Sequence, residues 1–168
     1  MITRTLLGIA GEFAVAAELC RRNIYAQLTL GNLKRADLLV FFETGIMARI
    51  EVKSKQGPDW PNCLGISRTD EFIIFVDFER KSETDRPDFY ILSLSDWNDL
   101  LQITVHNYST KYPNRRVRID EHNILVLDDE VNKYGKPYRG VGIKPNQILQ
   151  HRDAWFKIMG YLDWQNNT

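Results

Sequence analysis

The chain has 168 residues, room for one domain with a real core and too few for two ordinary ones. Lys+Arg and Asp+Glu balance at 22 each, with 43% hydrophobic and 26% charged residues, which excludes a disordered chain and, on the whole-chain average, an overtly basic nucleic-acid binder. No stretch approaches the ~18 apolar residues of a membrane span, and Met1–Leu7 lacks a long apolar run, so a soluble, cytoplasmic single domain over residues 1–168 is expected.

The neutral total hides a division. Residues 1–70 carry nine Lys/Arg against seven Asp/Glu, residues 71–110 three against eight, and residues 111–168 ten against seven. An acidic middle therefore lies between two mildly basic flanks, which is compatible with a positive surface on one side. Cys20 and Cys63 form neither a disulfide framework nor a zinc-ligand spacing.

In chain order, the spacing of Ile9, Phe13, Ala16, Ala17 and Cys20 predicts an amphipathic helix from Leu7 to about Arg22, stopped at Asn23. Strands are expected at Ala26–Leu30, Asp37–Phe42 and Ile46–Lys53, joined by turns at Gly31 and Asn32 and at Glu43–Gly45. A loop is expected from Ser54 to about Asp70, then a buried strand at Phe72–Phe78 and another at Phe89–Leu94. Ser95 and Asp96 read as the cap of a helix reaching about Val105. Ile124–Leu127 reads as a short strand, and Pro145–Met159 as a terminal helix with proline at its start.

The chemistry concentrates in the first 53 residues. Along Ile46–Lys53 a period of two puts Ile46, Ala48, Ile50 and Val52 on one face and Met47, Arg49, Glu51 and Lys53 on the other. Glu51 and Lys53 are then same-face neighbours, ~7 Å apart by the strand rise. Alone, that pairing is an ordinary ion pair. Asp37 opens the preceding strand, and antiparallel pairing about the Glu43–Gly45 turn brings it opposite residues near Glu51. Two carboxylates at one end of a hairpin suit a hard divalent cation, although a strand-start Asp also serves as a turn cap. On the helix, about 100° per residue places Glu12 at the margin of the apolar stripe, facing the sheet, and turns Glu18 to solvent. Glu12 can complete a metal site or simply sit favourably against the helix dipole.

The set Glu12, Asp37, Glu51 and Lys53 matches the needs of Mg²⁺-dependent phosphodiester hydrolysis. Carboxylates hold the metal, and a lysine steadies the water nucleophile and offsets transition-state charge. The Val52 carbonyl is a further candidate ligand. The runs Gly8–Leu19 (GIAGEFAVAAEL), Lys34–Val40 (KRADLLV) and Ile50–Lys55 (IEVKSK) resemble the PD-(D/E)xK nuclease superfamily, with Ala36 where the name-giving motif has Pro. Within it they are similar to the branch of archaeal Holliday-junction-resolvase-like and small bacterial endonuclease-like proteins. The resemblance implies an α/β restriction-endonuclease-like core, a mixed β-sheet flanked by helices, with a motif-bearing part over residues 8–95. Residues 96–168 are then a C-terminal elaboration ending in an additional helix. It also implies Mg²⁺ (or Mn²⁺) bound by Asp37, Glu51, Val52 and Glu12, with duplex or branched DNA as substrate. Because duplex-cutting nucleases of this kind often pair their active sites, a homodimer is the expected assembly. Lys34, Arg35, Ser54, Lys55 and Arg68 flank the motif and are candidate phosphate contacts, the solvated loop being the plain alternative. Arg115, Arg116 and Arg118 form a second basic cluster, while His106, His122 and His151 have no metal spacing. A non-catalytic nucleic-acid- or protein-binding module on the same fold is the competing function.

Overall fold

The computed structural model describes residues 2–29, 36–41, 45–132 and 134–166, with side chains described through residue 161. Its elements are α1 (Arg4–Cys20), β1 (Tyr25–Leu28), β2 (Leu38–Phe41), β3 (Met47–Lys55), β4 (Trp60–Cys63), β5 (Glu71–Asp77) and β6 (Asp88–Leu92). They continue with α2 (Leu94–Lys111), β7 (Val117–Ile119), β8 (Leu125–Val131), β9 (Pro137–Arg139), β10 (Val141–Ile143) and α3 (Phe156–Asn166). The centre is a five-stranded sheet in the order β1-β2-β3-β5-β6. Its one parallel pair is β3 with β5, and the other neighbours run antiparallel. The fold is thus mixed α/β, a mixed sheet flanked by helices with an additional C-terminal helix.

Strand β5 is buried along its whole length, as expected for a central strand that reads as one apolar run, and it divides the core in two. On one face, Ala48, Ile50, Val52, Phe72, Ile74 and Val76 pack beneath Val15 and Leu19 of α1 and Trp155 and Ile158 at the start of α3. On the other, Ile73, Phe75, Tyr90 and Leu92 pack beneath Trp97 and Leu101 of α2 and residues of β4, β8 and β10. Among the described residues no helix is long and apolar enough to cross a membrane.

The ends of α1 follow local rules. Thr3 caps the first turn through its hydroxyl. At the other end Asn23 takes φ 60°, while the amides of Ile24 and Asn23 return to the carbonyls of Leu19 and Cys20. That is a Schellman closure with asparagine in the left-handed position. Gly11 lets α1 lie directly on β3, because a Cβ there would stand 1.8 Å from Ser54 Oγ.

Several expectations are corrected. The loop from Ser54 to Asp70 contains β4, which pairs with the distant strand β10. The α2 cap is Ser93, not Ser95: its hydroxyl and the Asp96 carboxylate form a capping box, and the helix runs on to Lys111. The helix expected from Pro145 begins only at Phe156. Residues 145–151 form two 3-10 turns, and Asp153 at φ 50° breaks the path before α3. The apolar stripe of α1 is also reversed. Phe13, Ala17 and Cys20 face outward, and Gly11, Val15, Glu18 and Leu19 face the sheet. Glu18, expected in solvent, is 6% exposed and bonded to Arg21, Arg22 and Arg86. Arg86 reaches on to Asp153, so this carboxylate ties α1 to two distant loops.

Two predictions follow from this packing. Gly11→Ala destabilises by about 1–3 kcal/mol, since the added methyl forces α1 off β3. Ser54→Ala in the same chain restores part of the loss, measured as a double-mutant cycle in urea. The Arg86 hydrogen bond, with help from Arg22, outweighs burial and lowers the Glu18 carboxyl from its ordinary value of 4.5 to about 2. A folded-state value below the unfolded one means stabilisation present above pH 4.5 and lost as pH falls towards 2. Glu18→Gln lowers the melting temperature at neutral pH and flattens the acid limb of stability measured across that window.

Candidate active site

Asp37 sits at a bulge. Its amide donates to the Ile50 carbonyl at 2.8 Å, while Leu38 is the register partner of Ile50, so two residues of one strand oppose one of the next. The bulge frees the Asp37 side chain to reach along the edge, where Oδ2 accepts the Val52 amide at 2.7 Å. A carboxylate thus replaces a backbone carbonyl in the β2–β3 ladder. Backbone groups alternate along a strand, so the Val52 carbonyl faces this same edge.

One residue to either side of Val52 lie Glu51 and Lys53, with Lys53 Nζ 2.6 Å from Glu51 Oε1. Glu51 is buried, and its Oε2 has no hydrogen-bond partner among the described residues. Burial alone would lower the Lys53 ammonium, but the charges of Glu51 and Asp37 reverse that and hold it above its ordinary value. Glu12 joins from α1. Burial, then the negative charge of Asp37, raise its carboxyl. Asp37 is therefore the group whose charge acts on both Glu12 and Lys53.

The flanking cations divide. Lys34 and Arg35 lie outside the described residues. Arg68 is exposed and pairs with Asp70 at 2.8 Å, next to Arg49, which also pairs with Asp70. Lys55, expected at a phosphate, is instead 3% exposed. Its ammonium meets Asp77 at 2.7 Å, Glu79 at 2.9 Å and the Gly57 carbonyl at 2.9 Å, and it lies over the Trp60 ring. Ser54 turns its hydroxyl into the gap beneath Gly11, where it has no partner among the described residues. Both are packing residues, because β3 stays inside the sheet to its end. The Arg115–Arg118 cluster is neutralised in place: Arg115 pairs with Glu130, Arg116 with Asp129 and Arg118 with Asp128 across the β7–β8 hairpin.

Sequence reasoning missed Cys63. Strand β4 brings this buried thiol into the field of Lys53 and Glu51. Burial pushes it up to about 12, against the pull of Lys53. The run WPNC has no alternation and contains a proline, so nothing in it marked a strand.

No family model matches the chain, and neither does any curated protein. Among solved structures it is similar to a bacterial homing endonuclease, I-Ssp6803I, at 15% identity and a TM-score of 0.48, over 98% of each chain.

The coupling of Glu12 to Asp37 is directly measurable. In Asp37→Asn the Glu12 carboxyl titrates lower than in the native chain, though still above its ordinary value because burial remains. Carbon-13 NMR of the side-chain carboxyls reads the shift, and an unchanged Glu12 titration would disprove the proximity.

Proposed function

We propose that the chain is a metal-dependent DNA endonuclease that hydrolyses phosphodiester bonds. The observation that carries this reading is the state of Glu51. One oxygen is neutralised by Lys53, and the other is buried with no partner among the described residues, one residue along β3 from the Val52 amide that pins the Asp37 carboxylate. A buried acceptor left unsatisfied costs about 1–3 kcal/mol, more when charged, and a divalent cation is the partner that removes that cost. The donor set fits such an ion: Asp37 and Glu51, with the Val52 carbonyl on the same edge and Glu12 approaching from α1. All are hard oxygen ligands of the kind Mg²⁺ or Mn²⁺ takes.

Bound there, the cation supplies a water of lowered pKa and polarises the phosphate. The chain's own residues do the rest. The bulge at Asp37 fixes its carboxylate against β3, so the ligands are preorganised by backbone rather than by a mobile loop. Lys53 pairs with one Glu51 oxygen and presents positive charge where the phosphate gains negative charge. Arg68, together with Lys34 and Arg35, supplies contacts to the DNA backbone, which set affinity without reading sequence.

One observation favours the competing reading of a binding module without catalysis. Among the described residues no three His, Cys, Asp or Glu are grouped closely enough to hold a metal. The two readings separate on plasmid and four-way-junction DNA with Mg²⁺ or Mn²⁺. The native chain cleaves, and Glu51→Gln and Lys53→Ala each lose about 100-fold or more while keeping their circular-dichroism melts. Calorimetry finds one divalent-ion site that Asp37→Ala abolishes. Equal cleavage by native chain and both variants, or no metal binding, would leave the module.

A further inference from the structure

Helix α1 is apolar on two opposite sides. One side, Gly11, Val15 and Leu19, is spent on the sheet. The other is the stripe Leu6, Ile9, Phe13, Ala17 and Cys20, which at 100° per residue falls within about 40° of Phe13 on either side. It is open: Leu6, Ile9 and Phe13 are 55%, 40% and 59% exposed, and Ala17 and Cys20 are exposed as well. From residue 5 to residue 20 no charged side chain is exposed on this helix, since Glu12 is half-buried and Glu18 is held inside. A helix surface meant for water carries charges on that face, and one apolar all round is covered on both sides.

We propose that this stripe packs against the same stripe of a second copy, with the two α1 helices antiparallel about a two-fold axis at Phe13. Steps of three and four residues along Leu6, Ile9, Phe13, Ala17 and Cys20 make the seam of a helix pair. The order of sizes selects the orientation. The large residues are in the first half and the small ones in the second, so the antiparallel register sets Leu6 against Cys20, Ile9 against Ala17 and Phe13 against Phe13. Leucine and isoleucine then each meet a small residue, and the two phenylalanines meet each other at the axis. A parallel pair would set leucine against leucine and leave the alanine and cysteine end open. Opposed helix dipoles add to the antiparallel arrangement, and the contact buries no unpaired charge.

The area sets the strength. With ~150–250 Å² per large side chain, Leu6, Ile9 and Phe13 offer on the order of 300 Å² of apolar surface per copy. That equals a functional patch on a monomer and is under half of the ~800 Å² per partner in a standard stable interface. The dimer is therefore reversible and concentration-dependent. It does not depend on the nuclease reading, because the oligomeric state is measured without DNA or metal.

Sedimentation equilibrium of the full chain from micromolar to millimolar concentration tests it. The weight-average mass climbs from 19.6 kDa towards twice that value. Phe13→Glu and, separately, Ile9→Lys hold the mass at the monomer value, with melts unchanged because both positions are exposed. Orientation is read by Leu6→Cys under mild oxidation, which yields a covalent dimer mapped between the new thiol and Cys20 of the other copy. A native chain that stays monomeric throughout, association that survives both charged variants, or cross-linking only between the two Cys20 thiols would overturn the proposal.

Discussion

One face of β3 imposes the main constraint on this molecule. It presents Arg49, Glu51, Lys53 and Lys55 in alternation, four ionisable groups on a strand that lies inside the sheet under a second layer. Each must find an opposite charge or be driven neutral. Asp70 takes Arg49, Asp77 and Glu79 take Lys55, and Glu51 and Lys53 take each other. Those acceptors come from the turn before β5, its last residue and the residues just after it. The parallel pairing of β3 with β5 is thus neutralised at both ends as well as hydrogen-bonded along its length. Among the described residues Glu51 Oε2 keeps no hydrogen-bond partner, and it lies at the candidate site.

That view also explains what the sequence disclosed. Period-two alternation in β3 and the unbroken apolar run of β5 are local patterns that the fold keeps, while Asp37, expected opposite residues near Glu51, meets Ile50 with its amide and Val52 with its carboxylate. The bulge is what lets Asp37 act on Val52, and a single-residue bulge leaves no mark in a pattern of apolar and polar residues. Strands β4, β7, β9 and β10 are three or four residues long and pair with partners far along the chain or across a short turn, so no period could develop in them. Lys55 was unreadable for a different reason. Its charge suggests solvent, whereas its place at the end of a strand inside the sheet decides its burial.

Helix α1 shows a subtler failure of periodicity. The Ile9, Phe13, Ala17 and Cys20 stripe is the stronger apolar pattern, yet the sheet takes the weaker one. Gly11 and Ser54 decide this, because only the glycine side permits the close approach to β3. The same choice carries Glu18 inward, where Arg22 and Arg86 give it the positive charge it needs. Hydrophobic strength and fit to the neighbour are separate criteria, and here fit prevailed.

The zero net charge gains a physical meaning from these pairs. The basic cluster at 115–118 is matched by the acids at 128–130, and the acidic segment 71–110 supplies partners for Lys55, Arg152 and Lys157 from other regions. Among the described residues, neutrality is therefore built largely contact by contact. Such pairing leaves charge to act locally, at individual exposed cations, rather than as a broad positive field.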